Sequence, residues 1–436
     1  MGSRPDAFDV VVVGSGPGGA AAARELARGG ARVLILERGR ADPPSGRARL
    51  ALRELLLPGR SLFRTGSVAV LRAVTLGGGS MYFFGTAWEP PDLRDHGLDL
   101  AADVAALHAE LRPAPLPRDL MGPRARLVMD SARELGMDWQ PLPKFVDQAV
   151  LRRDGLGAYG AARWNARRFV DDAVAAGARL VTGATVTRVQ TRAGVATGVE
   201  MRIGGRRAAV RTGRVVLAAG GLGTPMILRA SGIDRAGRDF FYDPVLVVIG
   251  TVDGVDAGFE PPMLAAVDRL DEGYLLTDLC RPRWLHNAAT VLAGRPDRLR
   301  CYRSTVSVMV KARDGLSGSL TRRGGLAKPL TAADRAVFDR GAGEARRILR
   351  HAGARSVFEA GHLAVHPGGT AKVGDVVGAD LQTEIRGLYV GDASVIPLAW
   401  GMPPTFTVMA LGRGLGRRLL GVVQQIGESP AGTAPQ

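Results

Sequence analysis

The chain has 436 residues, is 46% hydrophobic and 5% aromatic, and carries 58 Lys and Arg against 42 Asp and Glu for a formal charge of +16. That length and apolar content suffice for the cores of two or three domains. The positive charge comes almost wholly from arginine spread along the chain without interleaved aromatics, which argues against a nucleic-acid groove and leaves attraction to anionic membrane surfaces open.

The first element is the one around which the rest is organised. Val10 to Val13 is a continuous apolar run, as expected of a parallel strand covered on both faces, and it breaks into Gly14-Ser15-Gly16-Pro17-Gly18-Gly19 where a helix should begin. Gly14 permits the tight turn, Gly16 leaves the backbone bare beside a pyrophosphate, and Gly19 lets the helix lie close on the strand. The helix N-terminus then offers free N–H groups and the positive end of its dipole to phosphate. Ala20 to Ala23 and Leu26 form the packing face, and Val33 to Leu36 make a second strand ending at Glu37, followed by Arg38. Glu37 stands about twenty residues on, where a carboxylate accepts hydrogen bonds from ribose hydroxyls and repels a 2′-phosphate. The pattern specifies a dinucleotide without saying which.

Arg47 to Arg72 mixes arginines with leucines and reads as an amphipathic helix, packed on the domain or forming a membrane-facing lip. A second glycine cluster follows at Gly77-Gly78-Gly79-Ser80, leading to Phe83 and Phe84. Helices are expected over Leu98 to Leu111, Ala125 to Leu135 and Ala161 to Ala175, and a strand over Arg179 to Val189 with a hairpin partner at Gly198 to Ile203. Arg214 to Pro225 is again strand, glycine turn and helix, with Pro225 read as a first-turn residue. Asp239 to Met309 reads as sheet, and Thr331 caps a helix running to Ala352.

The last third holds the candidate chemistry: His362 and His366 with Pro-Gly-Gly-Thr370, then Asp392-Ala393 after an apolar strand, then Pro403-Pro404-Thr405 opening a final helix. Residues four apart on a strand share a face, so His362 is a candidate companion of His366. Cys280 and Cys301 make at most one bridge and no ligand cluster, which with no bilayer-length apolar run and no signal peptide points to a soluble cytoplasmic protein without metal.

Taken in order, the fingerprint at Gly14 to Gly19, the Gly77 to Ser80 cluster, Ala219-Gly220-Gly221 to Gly232, His366 to Thr370 and Asp392 to Pro397 resemble the glucose–methanol–choline oxidoreductase family. The resemblance implies an α/β fold in which a Rossmann-like FAD-binding domain is joined to a second, sheet-containing substrate domain. It implies FAD on Gly14, Gly16, Pro17, Gly19, Glu37 and Arg38, with Val186 meeting the adenine through its backbone. Gly78, Gly79 and Ser80 would line the flavin and Asp392 its ribityl and pyrophosphate region, with Ala219, Gly220, Ala393, Pro404 and Thr405 also among the cofactor-binding residues. The expected domains are residues 1–90, 155–235 and 362–425 for FAD, 91–154 and 236–361 for substrate, and 426–436 as a disordered tail.

The same resemblance implies hydride transfer from a CH–OH group to flavin with His366 as proton acceptor. Two departures bear on the substrate: Phe83 stands where relatives place an asparagine, and Pro403 where they place the second catalytic residue. Both remove side-chain hydrogen bonding, so the expected substrate is a small, largely apolar hydroxylated molecule and the expected acceptor a quinone or protein in preference to oxygen. A flavoenzyme of another class, a C–C desaturase or reductase, or a lyase or isomerase without net flavin redox, is the alternative.

Overall fold

The computed structural model describes residues 8–40 and 61–427. Strand β1 (Val10–Val13) is buried throughout and lies parallel to β2 (Val33–Glu37), with Val12 opposite Ile35; helix α1 (Pro17–Arg28) makes the crossover. Pro17 opens α1, where its missing N–H is one of the unpaired donors of a helix start in any case. Strand β3 (Arg179–Thr182) extends this sheet beside β2. At Gly183, with φ +71°, the chain leaves it and β4 (Ala184–Arg192) joins an antiparallel three-stranded sheet with Val195–Ile203 and Arg206–Arg211. The single strand expected over Arg179 to Val189 is therefore two strands in two sheets. The helix expected over Ala161 to Ala175 is likewise broken, into one turn at Tyr159–Ala162 and a helix at Arg167–Ala175, with Ala166 N donating to Ser80 Oγ at 2.8 Å in the gap.

Strand β5 (Val215–Leu217) pairs with the other side of β1 and leads into α2 (Gly220–Ala230). Pro225 lies inside α2 and not in its first turn. Its missing N–H leaves the Gly221 carbonyl free, and the Thr370 hydroxyl donates to that carbonyl at 2.8 Å.

The second sheet has eight strands. Its centre is β6 (Pro244–Thr251), antiparallel to β7 (Thr305–Ala312), which is buried at every residue. Helix α3 (Ala332–His351) covers one face and opens with the expected Thr331 cap, completed as a capping box by Asp334. Strand β8 (Arg355–Ala364) flanks β6, and the hairpin Leu62–Thr65 with Val68–Leu71 adds at the edge, parallel to β8. That hairpin occupies the end of the stretch read as an amphipathic helix; the rest of that stretch, and the tail from residue 428, lie outside the described residues. The face packed on α3 sets Val248 and Val310 against Phe338 and Ile348 of the helix, whereas the opposite face holds Val245, Val247, Met309 and Leu363.

After β8 the chain returns to the first domain. Strand β9 (Leu388–Val390) pairs with β5 and completes a five-stranded parallel sheet in the order β9-β5-β1-β2-β3. Helix α4 (Thr405–Gly427) lies along α1, so close that a Cβ on Gly412 would stand 2.1 Å from the Gly18 carbonyl oxygen. The helix Ala101–Leu111 packs on α4, and Leu93, Leu98 and Leu107 join the core of this domain although the sequence grouped them with the substrate domain. Among the described residues no helix is long and apolar enough to cross a membrane.

Candidate active site

Two glycine loops meet at the C-terminal end of the parallel sheet. Ser15 donates from N and Oγ to Glu37 Oε2 at 3.0 and 2.6 Å, Gly39 N donates to Oε1 at 2.5 Å, and Gly77 N donates to Ser15 Oγ at 3.0 Å. Glu37 thus ties the end of β2 to both loops, and since a carboxylate accepts about four hydrogen bonds it keeps capacity for a ribose hydroxyl. Gly78, at φ +55°, lies where a Cβ would come within 2.9 Å of Gly16 Cα, so the loops touch backbone to backbone. Gly16 and Gly79 differ: a Cβ on either would have no protein atom within 4 Å. Ser80, expected to line the flavin, is buried, with its hydroxyl donating to Gly77 O at 2.6 Å. Val186 on β4 is buried beside β2, and Arg38 is half-buried after Glu37.

Asp392 is engaged by protein donors on both oxygens. Its Oδ2 accepts from Gly220 N at 2.8 Å and Thr224 Oγ1 at 2.5 Å, and its Oδ1 from Ser394 N at 2.8 Å and Ser394 Oγ at 2.5 Å. All four acceptor positions therefore go to protein, and Asp392 shapes the site by clamping the start of α2 to the turn at Ala393. Burial raises its carboxyl while the four donors oppose that rise.

The turn from His366 to Thr370 lies in the same junction. Gly369 N donates to Ala393 O at 2.9 Å and Ala371 N to Ser394 O at 2.8 Å, and a Cβ on Gly221 would stand 1.9 Å from Pro367 O. His366 Nδ1 lies 3.5 Å from Asp243 Oδ2, a contact that falls outside hydrogen-bond geometry, and neither atom has a hydrogen-bond partner among the described residues. Lys311 Nζ is 2.8 Å from the same oxygen, an ionic contact off the line of a hydrogen bond, and Gly401 N donates to Asp243 Oδ1 at 3.2 Å. Burial pulls the His366 imidazole below its ordinary value, against the opposing contact with Asp243. Burial works to raise the Asp243 carboxyl, but Lys311 and His366 hold it below the usual carboxylate range. Behind this group Asp314 accepts from Asp243 N at 2.8 Å and pairs with Lys328 Nζ at 3.0 Å.

His362 does not join His366. Strand β8 ends at Ala364, so the two are not four apart on one strand, and the His362 ring packs at 4.7 Å against Phe338 of α3 on the far face of the sheet. Phe83 packs edge-on to Trp164 at 6.3 Å beneath the Arg163 guanidinium, whereas Phe84 faces the second sheet with Trp88, Trp400, Met402 and Leu363. Pro403, Pro404 and Thr405 are buried at the start of α4, where Val408 N donates to Pro404 O at 2.9 Å. By helix geometry the N–H groups of Thr405 to Thr407 precede that bond.

The sequence reading missed Asp243, Lys311, Asp314 and Lys328. A signal existed: the chain has four lysines among its 58 basic residues, and Lys311 interrupts an otherwise apolar strand. Three of those four, Lys144, Lys311 and Lys328, are buried, each within reach of a carboxylate or carbonyls.

The residues fit FAD. Gly16 and Gly79 present bare backbone that any side chain would fill, and Thr75 Oγ1 and Thr407 Oγ1 are buried without a hydrogen-bond partner among the described residues. Family models agree: an FAD binding domain matches residues 7–54, and GMC oxidoreductase matches residues 117–248 and 326–412. The chain is 30% identical to the GMC-type oxidoreductase Rv0492c of Mycobacterium tuberculosis, over 92% of this chain and 74% of that one. The chain belongs to the GMC oxidoreductase family. It is thus an FAD-dependent oxidoreductase. It is also 24% identical to long-chain-alcohol oxidase FAO3 of Arabidopsis thaliana, covering 92% of this chain and 66% of that relative. The fold matches that of a pyridoxine 4-oxidase from Mesorbium loti with a TM-score of 0.70 at 18% identity, over 94% of this chain and 99% of that one.

Proposed function

We propose that this GMC oxidoreductase oxidises a CH–OH group on a small, largely apolar substrate, with His366 accepting the hydroxyl proton. One observation carries the reading: a half-buried imidazole, lowered below its ordinary value and so uncharged near neutrality, lies on the turn that follows β8 of the second sheet and bonds the start of α2 through Thr370. FAD, when bound, supplies the hydride acceptor. Gly14, Gly16, Gly19, Glu37, Gly78 and Gly79 would hold it, and the N-terminal turns of α1 and α4 would face its charged and polar parts.

Phe84, Trp88, Trp400, Met402 and Leu363 favour an apolar substrate by about 25 cal/mol per Å² of apolar surface removed from water. A polyol brought against the same side chains would leave hydroxyls unpaired, at roughly 1–3 kcal/mol each. The names of relatives agree, since one acts on long-chain alcohols and another, 25% identical over 53% of this chain, is a 2-methyl-1,2-propanediol dehydrogenase. With Pro403 in place of a polar partner, proton acceptance falls to His366. The same reading makes a quinone or a partner protein the electron acceptor, because an uncharged His366 and an ion-paired Lys311 offer little help to a developing superoxide charge. It places the enzyme in the cytoplasm, in keeping with two unpaired thiols.

The test is steady-state turnover of dodecan-1-ol, benzyl alcohol and glucose with a quinone dye as acceptor, together with rapid mixing of reduced enzyme and aerated buffer. Turnover of the first two is expected. Efficient glucose oxidation would overturn the substrate reading, and flavin reoxidation at oxidase speed would overturn the acceptor.

A further inference from the structure

A histidine base works only if its proton sits on the ring nitrogen away from substrate. Nothing in the imidazole itself fixes this, so the partner of the other nitrogen decides. His366 Nδ1 faces Asp243 Oδ2 at 3.5 Å, outside hydrogen-bond geometry, with neither atom hydrogen-bonded elsewhere among the described residues, and Asp243 is fully buried, held in the left-handed region at φ +50° between the Asp314 carboxylate and the proline that opens β6. Lys311 reaches the same oxygen from β7, where it pairs in register with Val245.

We propose that Asp243 is a positioning residue for His366, holding its neutral ring with the proton on Nδ1 and the lone pair on Nε2, and that Lys311 balances the Asp243 charge so that the ring is not locked as a cation. The proposal rests on the reading of His366 as the base. A carboxylate alone beside the imidazole would raise its proton affinity; an ammonium on the same oxygen lowers it. Together they leave a ring that is neutral at rest yet can still be stabilised by Asp243 once it has taken a proton, as in the aspartate–histidine part of a hydrolase triad. The charged groups facing the ring are Asp243 at the start of β6 and Lys311 on β7, with Asp314 and Lys328 behind them and Asp392 on the neighbouring turn. Asp392 is screened by its own four donors.

The FAD-loaded full chain carrying isotope-labelled histidine gives the test through ring-nitrogen NMR across a pH titration, the His366 signal being the one absent from His366→Gln. The expected resting form is the Nδ1–H tautomer. Asp243→Asn should shift the population toward Nε2–H and lower the midpoint by about 1 pH unit, while Lys311→Met should raise it by about 1 pH unit. Because each single variant strands a buried charge, the double variant Asp243→Asn with Lys311→Met is measured too: its midpoint should return toward the parent value while the Nδ1–H preference stays lost. An Nε2–H resting tautomer, or a double variant that keeps the parent tautomer, would overturn the proposal. Its failure is separable from that of the base. If His366→Gln still turns over dodecan-1-ol within a few-fold of the parent, the base reading falls. If His366→Gln is inactive but Asp243→Asn changes neither tautomer nor kcat, the positioning role alone falls.

Discussion

Asp243 and His366 meet through one carboxylate that serves two segments: Oδ2 faces His366 Nδ1 at 3.5 Å while Oδ1 accepts from Gly401 N at 3.2 Å. The turn carrying His366 and the loop leading to Pro403 are therefore registered against each other by a side chain that belongs to neither.

His366→Ala should lower kcat by roughly 10²- to 10⁴-fold, the usual worth of a positioned base, with FAD content unchanged. In the parent enzyme kcat should rise with pH through a midpoint below the ordinary imidazole value of 6.5, because burial favours the neutral ring. A pH–rate profile and visible flavin absorbance check both. A profile with no acidic limb would remove His366 from the proton step.

Gly16→Val and Gly19→Val separate the cofactor cradle from the scaffold. A Cβ at Gly16 meets no protein atom within 4 Å, whereas one at Gly19 would stand 2.2 Å from Gly14 O. Gly16→Val should therefore leave the stability of the apoprotein within about 0.5 kcal/mol and abolish FAD retention, and Gly19→Val should damage both. Urea unfolding with and without added FAD is the measurement, and stoichiometric FAD in purified Gly16→Val would contradict the assignment.

Asp392→Asn should destabilise the fold by about 1–3 kcal/mol, because an amide NH₂ would face donors where a carboxylate oxygen now accepts them. The unfolding midpoint should drop in the apoprotein as well as the holoprotein. A drop seen only with FAD bound would mean that the carboxylate contacts the cofactor after all.

His286 gives a pH prediction with a definite sign. Burial, with Arg281 and Arg124 adding to it, pulls its imidazole from 6.5 to about 4. The unfolded chain takes up a proton that the folded protein refuses, so this part of the stability is whole above pH 6.5 and is lost as pH falls toward 4, at up to about 1.4 kcal/mol per pH unit. Asp278 and Asp314, raised to about 6 by burial, act in the opposite sense in parent and variant alike. The stability difference between parent and His286→Gln should therefore narrow on acidification, as equilibrium unfolding at pH values across that window would measure.

What could be read from the sequence depended on whether the signal was local. The fingerprint was legible because Gly14, at φ +104°, and Gly19, packed on the Gly14 carbonyl, answer to backbone demands within a single strand–turn–helix unit, and the Thr331 cap is settled within one turn of helix. The hairpin Leu62–Thr65 with Val68–Leu71 was not, since arginines among leucines satisfy a helical period equally well and only pairing with β8 selects strand. Glycine inside a strand pattern commonly marks a bulge, and nothing near Gly183 says that it separates two sheets. At the site, the His366 motif stood out, but its partners Asp243, just before β6, and Lys311, on β7, lie more than fifty residues upstream of it along the chain. Their contact exists only once the second sheet is assembled. The expectation that His362 would assist His366 failed because the strand stops between them.

The hydroxyl of Thr370 occupies the place of the amide hydrogen that Pro225 lacks, bonding the Gly221 carbonyl at 2.8 Å. A defect in one helix is thereby repaired by the segment that carries His366, so the two are tied together by a buried bond. Bending at Thr370 would cost that buried hydrogen bond, and the amide that would otherwise serve the Gly221 carbonyl is the one Pro225 lacks.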